Sequence, residues 1–132
     1  MHKLFAMLPC YNEEKDIEPL VHKWMELDGE FSRRGYALSV YCINDCSTDS
    51  TKDVILKLTQ AYPERVRLVN HEVNRGLGGA LMTALRVFLE QGAAQDICVL
   101  MDGDNTHDPV YTLSMLPKIE SGADCVIASR YC

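Results

Sequence analysis

Two carboxylates one residue apart, Asp102 and Asp104, directly follow the apolar run ICVLM. In an extended segment, residues i and i+2 point the same way. Two such carboxylates repel each other unless a cation lies between them. Oxygen ligands of this kind suit Mg2+ or Mn2+, which also take substrate phosphates. The bland alternative is a solvated acidic turn ahead of the next helix, a task that Asp108 before Pro109 can do alone. A second segment, Asn74-Arg75-Gly76-Leu77-Gly78-Gly79, precedes a helical pattern. Its glycines permit close backbone approach, and a helix N-terminus favours an anion. Tight helix packing would use the same glycines. It is not a dinucleotide fingerprint, because that spacing needs glycine where Leu81 stands. A third segment, INDCSTDST, carries Asp45. Its carboxylate can accept hydrogen bonds from a base or ribose, or cap the following turn with Ser47 and Asp49. In a fourth, LPCYNEE, Glu13 and Glu14 serve equally as first-turn helix acids. His107 reads as a supporting or packing residue; His2, His22 and His71 read as surface residues.

These segments need a frame. Short β-type runs alternate with longer helical patterns, the signature of βαβ units and a parallel sheet. Strands are predicted over Lys3 to Leu8, Tyr36 to Ile43, Val66 to Val69, Ile97 to Met101 and Cys125 to Ala128. Helices are predicted over Glu14 to Arg34, from Asp49 or Ser50 to about Tyr62, over Gly76 to Gln91 with Leu81, Leu85, Phe88 and Leu89 on the buried side, and from Pro109 to about Glu120. Gly35 is a plausible stop for the first helix. The fold class is therefore α/β: a Rossmann-like, mostly parallel sheet with helices on both faces. In such a sheet the polar segments all follow strands and line one carboxyl edge, where ligands bind.

The 132 residues fit one domain. A formal net charge of -6 argues against nucleic acid as a partner. No apolar run reaches the ~20 residues of a membrane span, and the N-terminus makes a poor signal peptide, so a cytoplasmic setting is expected. The six cysteines show neither a CxxC pair nor zinc spacing and read as free thiols. Cys10 and Cys46 follow adjacent strands and are expected near any nucleoside pocket.

Taken together, LPCYNEEKDI, INDCSTDST, NRGLGGALMTAL, LMDGDNTHDP and DCVIASRY resemble the inverting family 2 glycosyltransferases of GT-A fold. They are most similar to the branch of dolichyl-phosphate mannose synthase and related polyprenyl-phosphate sugar transferases. The segments stand in that family's order and cover nearly the whole chain. The resemblance implies a UDP- or GDP-linked sugar donor and a divalent metal, Mg2+ or Mn2+. It implies a polyprenyl phosphate or saccharide acceptor in a full-length enzyme at the cytoplasmic face of a membrane. It places Pro9, Tyr11 and Glu13 along the nucleoside pocket and Asp45 on the base. Arg75 and Gly76 would lie near the base and phosphates, Asp102 and Asp104 on the metal, with Asp102 also touching the nucleotide, and Arg130 near the diphosphate. The implied chemistry is direct displacement at the anomeric carbon.

Four departures stand out. Cys46 replaces the usual glycine of the DDGS-like turn, and Asn44 its first aspartate. Thr106 stands where mannose synthases often have a Gln ligand. The catalytic base carboxylate of the acceptor side would lie beyond Cys132, so the chain reads as the N-terminal nucleotide-sugar-binding half, cut before the acceptor-binding half and inactive by itself. In the resembled fold a later antiparallel strand separates strands four and five. Its loss is expected to cause either self-association or movement of strand five into the gap. Two rivals remain at this level. One is a nucleotide-binding module without turnover. The other is a haloacid dehalogenase-type phosphatase, whose nucleophile motif VLMDGDNT fits but whose downstream lysine and acidic pair have too little chain left.

Overall fold

The computed structural model describes residues 2–93, 95–101, 108–120 and 125–127. Its strands are β1 His2–Cys10, β2 Tyr36–Asp45, β3 Val66–His71, β4 Ile97–Leu100 and β5 Cys125–Ile127. Its helices are α1 Ile17–Glu26, α2 Asp28–Arg33, α3 Thr51–Ala61, α4 Gly76–Gln91 and α5 Tyr111–Glu120. The sheet order is β3-β2-β1-β4-β5, and each neighbouring pair runs parallel. The doubly wound α/β architecture is the one the alternation of patterns implies.

β1 lies at the centre and is buried from Leu4 to Cys10. Its alternation feeds two cores rather than a core and solvent. Leu4, Ala6, Leu8 and Cys10 join Leu20, Trp24, Phe31, Ile55 and Leu116, from the helices α1, α2, α3 and α5. Phe5 and Met7 join Ala80 and Ala84, so α4 covers the other face. Leu81, Leu85 and Phe88 pack against that second core. Leu89 does not: it is 78% exposed, because the stripe that meets the sheet runs through Ala80, Thr83 and Ala84.

The single helix expected over Glu14 to Arg34 is two. The break falls at Leu27, whose amide bonds to Trp24 O at 3.1 Å. Asp28 and Gly29 are weak helix formers, and the Asp28 carboxylate pairs with Arg65 ahead of β3. Gly35, at φ 93°, ends the second piece in the left-handed conformation that glycine takes without strain. Pro109 stands in the turn before α5 rather than inside it, with its carbonyl accepting from Thr112 N at 3.0 Å.

β5 lies directly on β4, pairing Cys98 with Cys125 and Leu100 with Ile127. Of the two outcomes expected for this edge, the fifth strand beside the fourth is the one seen. Among the described residues no helix is long and apolar enough to cross a membrane.

Candidate functional site

β1 and β2 each run two residues further than the sequence pattern suggests, and so does β3. The additions to β1 are Pro9 and Cys10, while those to β2 and β3 are polar: Asn44 and Asp45 on β2, Asn70 and His71 on β3. They survive inside the sheet because each finds a partner across it. Asn44 Nδ2 donates to Asn70 Oδ1 at 2.8 Å, and Asp45 faces His71 in register. Buried polar groups persist only when hydrogen-bonded. The carboxyl ends of β2 and β3 thus form a satisfied polar rim over an apolar sheet.

Two loops rise from this rim as one piece. Asn12, at φ 53°, accepts the Thr48 amide on its Oδ1 at 2.8 Å and donates its own amide to Ser47 Oγ at 3.0 Å. The Glu13 amide donates to Thr51 Oγ1 at 2.8 Å, and Glu14 Oε2 accepts the Ser50 amide at 3.0 Å. Asp49 caps α3 by accepting the Thr51 amide at 2.9 Å. Burial pushes the Asp49 carboxyl up, but the hydroxyl and amide of Thr51 and the amide of Glu14 outweigh it and lower its pKa. Pro9 is buried one residue from the end of β1, where a missing N–H costs only a rim position. Tyr11 stands 47% exposed just above it.

Asp45 anchors the third segment. Its Oδ1 accepts the Arg75 amide at 2.7 Å and meets His71 Nδ1 at 2.9 Å. Burial works against its charge, yet the Arg75 amide, the His71 ring and the Gly76 amide together hold its pKa below the usual carboxylate value. Gly76 takes φ 74° at the start of α4, and its amide donates to Asn74 Oδ1 at 2.9 Å. A Cβ at Gly78 would meet nothing within 4 Å among the described residues. One at Gly79 would overlap the Cβ of Arg75. Packing therefore explains Gly79, while Gly78 leaves the backbone open.

The structure thus brings Asn12 and Glu13 together with the loop after β2, and Asp45 together with Arg75 and Gly76, while Tyr11 stands exposed next to Asn12 in the chain. Asp102, Asp104, His107 and Arg130 lie outside the described residues. Met101, the last described residue before the acidic pair, donates its amide to Met7 O at 3.0 Å and is buried. The chain therefore leaves β4 beside the end of β1. Two aspartates are the hard-oxygen donor set that Mg2+ or Mn2+ takes. Among the described residues no cluster of three or more His, Cys, Asp or Glu is placed to hold a metal.

His71 corrects the sequence reading. It is 6% exposed rather than a surface residue, with Nδ1 on Asp45 and Nε2 2.8 Å from Thr83 Oγ1. His22 is partly exposed, with Nδ1 2.6 Å from the Tyr62 hydroxyl. The signal for His71 was present in the register: a β3 extended two residues past Val69 puts it opposite Asp45. Cys10 is the last residue of β1. It is buried, and its hydrogen bond with Cys42, then burial, hold the thiol well above its ordinary pKa. Cys46 is half-buried at φ 57° with Sγ 3.4 Å from Glu72 O, so it takes the left-handed conformation that glycine adopts without strain.

The family model described as Glycosyl transferase family 2 matches residues 6–132. Dolichol-phosphate mannosyltransferase of Pyrococcus furiosus is 30% identical over 129 residues, 98% of this chain and 33% of that protein. Polyprenol monophosphomannose synthase of Mycolicibacterium smegmatis is 27% identical over 129 residues, 98% of this chain and 45% of its own. The chain therefore spans a third to just under half the length of these relatives. Among solved structures, the mannosyltransferase PcManGT of Pyrobaculum calidifontis, in complex with GDP-Man and Mn2+, aligns over 76% of this chain and 27% of its own. Its TM-score is 0.62 and its identity 29%. S. aureus TarS in complex with UDP has the same fold, with a TM-score of 0.66 and 23% identity over 90% of this chain and 32% of its own.

Proposed function

The chain belongs to glycosyl transferase family 2, and from that premise we propose that it binds the nucleotide of a nucleoside-diphosphate sugar along the carboxyl edge of its sheet. The observation that carries this reading is the joining of three strand-end loops into one rim, with Asp45 holding the Arg75 amide at the start of α4. Beyond the Arg75 and Gly76 amides already taken, the first turn of α4 offers its following amides and the open face of Gly78 to an anion. Pro9, Tyr11 and Glu13 line the nucleoside side in this reading. Asp45, Arg75 and Gly76 act there as one unit, and Arg130 lies toward the diphosphate.

Asp102 and Asp104 would hold Mg2+ or Mn2+. The ion, when bound, supplies positive charge against the diphosphate. The chain's own residues do the rest: the rim orients the nucleoside, and the α4 turn receives phosphate oxygens. The names of the relatives favour a polyprenyl phosphate acceptor over a saccharide. The phosphatase reading of VLMDGDNT falls away with the family assignment. Binding without turnover remains the second reading for the 132 residues by themselves, favoured by the share of each relative that the chain spans.

Titration calorimetry with UDP, GDP and their sugar conjugates, each with and without Mn2+, tests the proposal. Saturable binding of one nucleotide series is expected. Heats no larger than those of buffer for both series would sink it. A donor-turnover assay on the same sample separates transfer from binding alone.

A further inference from the structure

His71 is held at both ring nitrogens. Asp45 is an ionised carboxylate that only accepts, so Nδ1 carries a proton and donates to Oδ1 at 2.9 Å. Nε2 meets Thr83 Oγ1 at 2.8 Å, and that same hydroxyl lies 3.1 Å from Gly79 O. Thr83 can turn its single proton to Nε2, or give it to Gly79 O and accept from Nε2. Either way Nδ1–H stays on Asp45, and Thr83 holds the other end of the ring.

The output of this arrangement is the place of one turn. The oxygen that His71 engages also accepts the Arg75 amide at 2.7 Å. The Asp45 carbonyl accepts from Asn74 Nδ2 at 3.4 Å, and Asn74 Oδ1 takes the Gly76 amide. α4 is thus tied at its first turn through Asp45 and at its second through Thr83, with His71 between them. Apolar side chains could fill the same space without desolvating a carboxylate. A fully satisfied polar network instead fixes a single geometry.

We propose that His71 is a positioning residue for nucleotide binding, acting through Asp45 on the Arg75–Gly76 turn; this rests on the nucleotide reading above. Asp45 Oδ1 is committed inward by these bonds, so Asp45 serves the nucleotide through the shape of the turn.

The test compares the parent chain with His71→Ala, His71→Asn and His71→Gln. UDP and GDP with Mn2+ are the probes, read by titration calorimetry. Amide hydrogen exchange at Arg75 is read on the same samples. The Asn side-chain amide reaches the Nδ1 position; that of Gln reaches toward Nε2. Expected are a weakening of about tenfold or more in His71→Ala, recovery of most of it in His71→Asn, and little in His71→Gln. Arg75 exchange should quicken in Ala and Gln and return to the parent rate in Asn. A fold-wide stability loss alone would not follow that order. Parent-like affinity or parent-like Arg75 exchange in His71→Ala overturns the proposal. So does an Asn variant no better than Gln, a comparison that also decides the matter if His71→Ala fails to fold. A parent chain that binds neither nucleotide defeats the nucleotide reading and with it the binding role of His71, while Arg75 exchange still reports whether His71 holds the turn.

Discussion

The side-chain oxygen of Asn12 accepts the backbone amide of Thr48 at 2.8 Å, across 36 residues of sequence. The loops after β1 and β2 therefore cannot shift independently. Asn12 also sits at φ 53°, a conformation that asparagine tolerates and alanine does not. Asn12→Ala should cost about 2 kcal/mol, from the lost bond and the strained backbone together. Asn12→Gly should cost less, because glycine takes this backbone without strain and the entropy it adds to the unfolded state is smaller than that strain. Urea denaturation of the pair tests this; equal losses would show that the backbone carries no strain.

Cys46 is a side chain in a glycine position. Cys46→Gly is expected to stabilise the chain by about 0.5–1 kcal/mol, since relief of the left-handed penalty exceeds the entropy glycine adds to the unfolded state. Cys46→Val should destabilise it. A glycine variant with a lower urea midpoint than the parent would mean that the contact of Sγ with Glu72 O outweighs the strain.

Gly78 and Gly79 should respond in opposite senses. Gly78→Ala adds a Cβ in open space on a helix and should raise stability by about 0.5–1 kcal/mol. If the open backbone there receives phosphate, the same variant weakens nucleotide binding. Gly79→Ala collides with the Arg75 Cβ and should lower stability by about 1–3 kcal/mol. Thermal melts with and without UDP or GDP separate the effects. A Gly78→Ala variant that is more stable and binds as the parent does would place the phosphates elsewhere.

Asp104→Ala should abolish the part of nucleotide binding that depends on Mn2+. A ligand that binds the native state raises apparent stability by RT ln(1 + [L]/Kd), so melting shifts measure it directly. The parent should gain more from nucleotide plus Mn2+ than from nucleotide alone. The variant should gain equally in both. A variant that keeps the full metal effect would remove the acidic pair from the metal site.

Acid should loosen the rim. Asp45 and Asp49 both have pKa values lowered by the hydrogen bonds they accept. Such groups stabilise the fold fully above the unfolded carboxylate value of about 3.9 and lose that contribution as pH falls through the lower folded value. Stability should therefore drop below about pH 4. Asp45→Asn should be less stable at neutral pH and fall less steeply between about pH 4 and pH 2. An identical acid slope in parent and variant would contradict the inward bonding of Asp45.

The sheet and the order of its elements were readable because the apolar runs of ICVL and of β1 have the length and composition of buried strands. The polar rim was harder. Asn44, Asp45, Asn70 and His71 look like loop residues, and only their pairing across two strands makes them strand residues. His71 was misread for that reason: its partners lie 26 residues before it and 12 after it. The break at Leu27 was hidden because the apolar stripe continues from Trp24 to Phe31, whose rings stack at 6.0 Å across it. Asp45 was singled out from the sequence for its place at a strand end, but no spacing rule reveals that its oxygen faces the Arg75 amide.

The strand order carries a consequence for assembly during synthesis. β1 pairs on one side with β2 and on the other with β4, and the Lys3 amide reaches Asp96 across 93 residues. A ribosome that has released β1 through α4 has already supplied Asn12, Asp45, His71 and Arg75. The rim over β1, β2 and β3 can therefore close before β4 and the acidic pair after it emerge. Until they do, the open edge of β1 exposes ladder groups that only β4 satisfies, which leaves the nascent chain briefly vulnerable to mispairing.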